Sequence, residues 1–148
     1  MQQQIGDSSK ANYYEYFKSL LNTERYLSID MSFNNRRILS NFRCSSHCLN
    51  IEKGRHQNID YNLRFCDLCI KRNIHVVEDE FHFLMVCPAY DELGTLYFHA
   101  QWKSSYPTKE LFNEIMADPR PMCIKSLAKF LVESFKIRKL SYMENTIS

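Results

Sequence analysis

The sequence predicts a mainly α fold: a small helical domain into which one irregular, cysteine-bearing piece is set. Three observations carry that expectation. Apolar residues recur at three- and four-residue spacing in most segments of the 148-residue chain. Only three glycines occur, Gly6, Gly54 and Gly94, and the one stretch that reads as extended is Ile74 to Val77. Between residues 66 and 87 stand three cysteines, Cys66, Cys69 and Cys87, and two histidines, His75 and His82.

Residues 1–11 read as a disordered polar terminus. From Asn12 to about Glu24, Tyr13, Tyr16, Phe17, Leu20 and Leu21 repeat at helical spacing. A second helix is expected from Asn34 to about Leu49, with Ile38, Phe42, Ser45 and Leu49 on one face and Arg36, Arg43 and His47 on the other. Gly54 and the polar run from Arg55 to Asn62 then read as a loop. Phe65 to Val77 reads as a cysteine-containing turn followed by the extended piece.

Glu78-Asp79-Glu80 suits a helix start, where carboxylates offset the dipole and accept free N–H groups. That helix carries Phe81 to Val86 and stops at Cys87, because Pro88 lacks an amide proton and clashes with the turn before it. Pro88 suits the first position of the next helix, with Ala89, Leu93, Leu96, Tyr97 and Ala100 on one face. A short helix is expected over Lys109 to Ala117, and a longer one after Pro121, marked by Ile124, Leu127, Ala128, Leu131 and Phe135. Residues 12–140 form one domain in this reading, and 141–148 a tail.

Hydrophobic residues make up 45% of the chain, with ten Phe and nine Tyr, enough to bury a core. No apolar run approaches the roughly 18 residues of a membrane span, and Met1-Gln-Gln-Gln-Ile-Gly-Asp lacks a signal-peptide core. The expectation is a soluble intracellular protein of the nucleus or cytoplasm, with no membrane partner. In a reducing compartment its six cysteines are metal ligands or free thiols rather than disulfides. The three glycines are too scattered for a P-loop or a dinucleotide fingerprint, both of which need clustered glycines near phosphate. No Asp-Asp pair occurs, so a polymerase metal motif of the Tyr-x-Asp-Asp kind is absent as well.

Charge is uneven. Residues 36–75 carry eight Lys and Arg against three acids, residues 76–118 two against eight, and residues 119–148 six against two. A polyanion is therefore expected to meet the basic middle or the basic end.

Cys66-x2-Cys69 places two thiols on one tight turn; His82 follows, then Cys87. Zinc takes four such ligands in a tetrahedron, two from a knuckle and two from a helix and its end. The expectation is an embedded Cys-Cys-His-Cys zinc knuckle holding one Zn²⁺, structural because protein fills every position. His75 competes with His82 for the fourth place; His82 is preferred because a helix fixes its direction. Glu78 or Asp79, one turn earlier, is expected to orient the second ring nitrogen of His82. Cys44, His47 and Cys48 form a tighter cluster that reads as an ordinary helix face, with a second metal there left open. No third group orients a Cys-His nucleophile, so a thiol enzyme is disfavoured.

Over residues 34–96 the chain resembles the reverse-transcriptase zinc-binding domain found near the C-terminal end of non-LTR (LINE-like) retrotransposon polyproteins. The matching residues are Phe42-Arg43, Ser46-His47, Leu49, Ile51-Glu52 and Gly54-Arg55, then Arg64, Cys66 and Cys69. They continue with Glu78-Asp79-Glu80, His82-Phe83-Leu84, Cys87-Pro88 and Tyr90. Gly94 departs from the pattern, standing where such sequences often carry Arg. The resemblance implies a zinc knuckle that helps a reverse transcriptase hold RNA or target DNA, without catalysis by this piece, present here as a fragment, a remnant or a stand-alone copy.

Binding of RNA or single-stranded DNA is accordingly the first functional expectation, through Arg36, Arg43, His47, Arg55, Arg64, Lys71 and Arg72. Phe42, Tyr61 and Phe65 are the aromatics available for stacking on bases. A protein-interaction or scaffold module without a nucleic-acid role is the alternative. It would use the aromatics of the run from Tyr97 to Trp102 and a protein partner.

Overall fold

Helices account for nearly all of the regular structure, and buried polar contacts from distant residues decide where several of them start and stop. The computed structural model describes residues 25–98 and 106–147. Among them lie α1 (Phe33–Arg43), α2 (Asn50–His56), α3 (Asp67–Ile70), a π-wound turn (His82–Val86), α4 (Asp91–Tyr97), α5 (Lys109–Ala117) and α6 (Pro121–Ile147). No strand forms among the described residues; one antiparallel bridge joins Phe65 to Val77. The helix expected over Asn12 to Glu24 lies outside the described residues.

α1 starts where Ser32 Oγ accepts the Asn35 N–H at 3.1 Å. It ends at Arg43, six residues short of the expected end at Leu49. Ser45 takes a positive φ of 54° and turns the chain out of the helix. The conformation is held by the Ser46 N–H bonded to the Asn41 carbonyl at 2.7 Å and by Ser45 Oγ donating to Glu80 Oε1 at 2.8 Å. The expected loop at Gly54 is likewise corrected, because Gly54 sits inside α2. A Cβ there would stand 2.5 Å from Arg64 Cγ, so the glycine exists to admit the Arg64 side chain. That guanidinium donates to the Ile51 and Ile59 carbonyls, each at 3.0 Å.

α5 has the expected bounds, with Thr108 Oγ1 accepting the Leu111 N–H at 3.1 Å. Leu111, Phe112, Ile115 and Met116 are buried. α6, 27 residues and about 40 Å long, is the spine against which α1 and α4 pack. Its expected core residues Ile124, Leu127, Ala128 and Leu131 are buried, and Phe135 packs beside them. Residues 141–147 continue this helix instead of trailing from it as a tail. On α4, Leu96 is 70% exposed and leaves the face assigned to it, while Tyr97 and Phe98 pack against the core. Ala100 and Trp102 lie outside the described residues.

Phe83 joins the halves of the core. Its ring contacts Phe42 of α1 at 6.0 Å, Tyr90 at 4.7 Å and Phe135 of α6 at 4.6 Å.

The Gly54 contact gives the first prediction. Gly54→Ala should lower unfolding free energy by about 1–3 kcal/mol, since the new methyl displaces a hydrogen-bonded arginine stem. Gly54→Ala with Arg64→Ala should cost no more than Arg64→Ala alone, as measured by urea unfolding in a double-mutant cycle.

Candidate metal centre

Cys66, Cys69, His82 and Cys87 converge, all four buried, with their ligand atoms within 4.8 Å of one another. The segments that carry them are shaped locally for this. Cys66 and Phe65 are clamped to the returning chain by the Cys66 N–H to the Val76 carbonyl at 2.8 Å and by the Phe65–Val77 bridge. Between them α3 makes one turn, which brings Cys69 back over Cys66. The Cys69 carbonyl accepts the N–H groups of Arg72 and Ile74, each at 2.9 Å. Asn73 closes the return with φ 61°, a left-handed conformation that asparagine tolerates.

The second pair depends on the π-wound turn. The Asp79 carboxylate accepts the His82 backbone N–H at 2.8 Å and so caps the helical run that begins at Glu80. The Cys87 N–H then bonds to the His82 carbonyl, five residues back, at 2.8 Å. In an ordinary α-helix residues five apart point about 140° away from one another. The wider turn brings His82 and Cys87 to one side, and Pro88 ends it.

The distances match a metal tetrahedron. Cys66 Sγ lies 3.9 Å and Cys69 Sγ 3.8 Å from Cys87 Sγ, and Cys69 Sγ lies 3.4 Å from His82 Nε2. Metal–sulfur bonds of about 2.3 Å and a metal–nitrogen bond of about 2.0 Å imply edges of about 3.8 and 3.5 Å in a tetrahedron. A disulfide would need about 2.05 Å between sulfurs, so these are separate thiols. The three thiols differ in how easily they ionise. A hydrogen bond from Cys87 holds the Cys66 thiol down at about 4. Burial pushes Cys69 up to about 11, and Cys87, which donates to Cys66 and is buried, is pushed up too. Protein alone stabilises one thiolate here; three thiolates side by side need a cation among them.

His75 is exposed, its ring edge-on to Phe65 at 5.4 Å, and takes no part in the cluster. The cluster at Cys44, His47 and Cys48 is not a ligand set. His47 Nε2 donates to Glu80 Oε1 at 2.7 Å and Nδ1 accepts the Leu49 N–H at 3.3 Å, a tautomer assigned from these bonds, so both ring nitrogens are taken.

Glu78 and Asp79 also support the centre through the backbone and the helices around it: Asp79 accepts the His82 backbone N–H, and Glu78 is bonded to α2 and α6. Glu78 is 2% exposed. Its Oε2 accepts the Asn50 N–H at 2.7 Å, starting α2, and Arg138 of α6 grips both oxygens, Nε to Oε1 at 2.7 Å and Nη2 to Oε2 at 2.9 Å. Burial pushes the Glu78 carboxyl up, against the pull of Arg138 and the Asn50 N–H. Arg138 Nη2 also reaches Tyr142 Oη at 2.9 Å, and Tyr142 donates to Asp67, the residue after Cys66. Asn50 Nδ2 bonds to Asp67 Oδ2 at 2.8 Å and to the Phe65 carbonyl at 2.6 Å. Asn50, Asp67, Glu80, Arg138 and Tyr142 were not foreseen as site residues. Only Arg138 left a signal: it continues the stripe Ile124, Leu127, Leu131, Phe135 at helical spacing, a cation in a core position.

The expected basic face is taken apart. Arg43, 7% exposed, donates to the Met116 carbonyl at the end of α5 and lies over the Tyr26 ring. His47 is buried against Glu80. Arg36 donates to the Ile29 carbonyl at 2.8 Å, Arg55 pairs with Glu52 at 3.0 Å, and Arg64 is pinned over Gly54. Lys71 and Arg72 alone of the seven are exposed, at the tip of the knuckle. Of the proposed stacking aromatics, Phe42 is core, Phe65 half-buried and Tyr61 47% exposed. Among the described residues, no helix is long and apolar enough to cross a membrane. Compared with known proteins, the chain matches no family model, no curated protein and no solved structure.

Removing a ligand tests the centre. His82→Ala and Cys69→Ser should release the metal, whereas His75→Ala should leave metal content unchanged, as measured by elemental analysis of the purified variants. Arg138→Ala should destabilise the fold by about 3–5 kcal/mol, because it leaves the Glu78 charge buried and unpaired.

Proposed function

We propose that this centre holds one zinc ion in a purely structural role, and that the domain around it is a non-catalytic module for RNA or single-stranded DNA. That is the kind of module which the resemblance to reverse-transcriptase zinc-binding domains implies. The observation that carries the reading is the donor set: three sulfurs and one imidazole nitrogen at tetrahedral spacing, buried, with every ligand supplied by the protein. Thiolate and imidazole donors in a tetrahedron favour zinc over harder cations. Four protein ligands leave no position for a reactive water, so the ion organises the fold and performs no chemistry.

The nucleic-acid half is supported by where the remaining cations gather. Lys71 Nζ reaches Ser141 of α6 at 2.8 Å, and Lys53 of α2 lies over the Tyr142 ring at 5.1 Å. Lysines from the knuckle and from α2 thus meet at Ser141 and Tyr142 of α6, with exposed Arg72 next to Lys71 in the chain. Phosphate neutralisation by such groups supplies most non-specific binding. A protein-interaction role is the second reading, favoured by Ile137, Leu140 and Met143, which are 37%, 59% and 53% exposed on α6.

Two measurements test this. Purified protein should contain one zinc per chain, and its affinity for a single strand should fall linearly in log salt, with a slope of roughly −2 to −3.5 for three to five phosphate contacts. Lys53→Ala, Lys71→Ala and Arg72→Ala should each flatten that slope by about 0.7 without loss of zinc. Arg43→Ala should lower stability instead. No retention of any single strand at low salt, with zinc fully bound, would favour the interaction reading.

A further inference from the structure

A groove of about 490 Å³ runs between α1 and the C-terminal half of α6, and none of the four candidate metal ligands lines it. Its carbon walls come from Ile38 of α1 and from Phe135 and the Tyr142 ring of α6. Polar groups enter it from two sides. The Asn41 carboxamide and the Lys139 ammonium line it without a hydrogen bond or ion pair to the described residues. Arg138, 4% exposed, spends Nε and Nη2 on Glu78 and Tyr142. On the groove side its Nη1 meets, among the described residues, only the Cys48 sulfur at 3.7 Å, a weak acceptor. A buried cationic donor thus faces the groove with no oxygen partner.

We propose that this groove receives one unpaired nucleotide of a bound single strand, with the base between the carbon walls and the phosphate at Lys139. The inference rests on the nucleic-acid reading above and gives it a second, base-contacting site. A nucleotide combines what the groove offers: carbon-rich faces for Ile38 and Phe135, an edge of donors and acceptors for Asn41 and Arg138 Nη1, and an anion for the exposed ammonium. A simple anion needs no carbon walls. A purely apolar ligand would leave the guanidinium donor and the amide buried without partners, which is costly. The volume lies inside the range of about 300–1,000 Å³ usual for small-molecule pockets. Unpaired bases are commonly held in this way, by stacking and edge contacts, where single strands are read.

Cys48 provides the probe, since its thiol is exposed and lines the groove, whereas the exposed thiol of Cys44 does not line it. The zinc-loaded protein is alkylated with iodoacetamide, and each cysteine is followed by mass spectrometry, with and without a twelve-nucleotide single-stranded RNA. With the RNA at about ten times its Kd, Cys48 alkylation should slow by about tenfold while Cys44 is unchanged. Dextran sulfate, a polyanion without bases, should not protect Cys48. Asn41→Leu should weaken strand binding several-fold and leave the salt slope unchanged, because no phosphate contact is lost. Retention of the strand with Cys48 reacting at its free rate would overturn the groove inference and leave the nucleic-acid reading standing. Equal protection by dextran sulfate would overturn base insertion. Absence of both retention and protection would overturn both readings.

Discussion

Three buried thiols and one imidazole held within 4.8 Å of each other are the constraint around which the rest is arranged. Packed as neutral groups, these thiols carry S–H hydrogens with few good acceptors in the cluster. A divalent cation changes the balance by deprotonating all three. Structural zinc is worth roughly 10–16 kcal/mol in small sites, comparable to the net stability of a whole domain. Each local irregularity in this region, namely the single turn of α3, the left-handed Asn73 and the π-wound turn, brings a donor atom to the same point.

The ligand segments are too short to hold themselves, and the Glu78 carboxylate fixes them to the remainder of the molecule. It starts α2 by accepting the Asn50 N–H, and it binds Arg138 from a helix sixty residues away. Through Tyr142 and Asp67 the same network returns to the residue next to Cys66. A buried ion pair of this kind is a weak source of stability, since desolvation offsets most of the attraction. Its value here is geometric: it fixes the register of α6 against the knuckle. That register in turn brings Lys53 and Lys71 to the end of α6 and shapes the groove beside α1.

How much of this was legible in the sequence follows from the range of the interactions. The Cys66-Cys69 and His82-Cys87 halves of the cluster, the stop before Pro88 and the bounds of α5 depend on residues a few positions apart, and spacing revealed them. The break after Arg43 depends on Ser45 meeting Glu80, thirty-five residues on, and Gly54 stays helical to admit Arg64; neither partner can be read from local pattern. The basic face failed for the same reason. A run of arginines gives the charge of a segment but not its exposure, and Arg43 is drawn inward by a carbonyl at the end of a distant helix. The π-wound turn was hidden because its cause, two ligands five residues apart that must face one point, is a demand of the site rather than a propensity of the residues.

X-ray absorption at the zinc edge of the purified protein tests the central claim most directly. Three sulfurs at about 2.3 Å and one nitrogen at about 2.0–2.1 Å are the expected shell, with no further oxygen. Two sulfurs with two nitrogens, an added water oxygen, or protein that stays folded without bound zinc would contradict it.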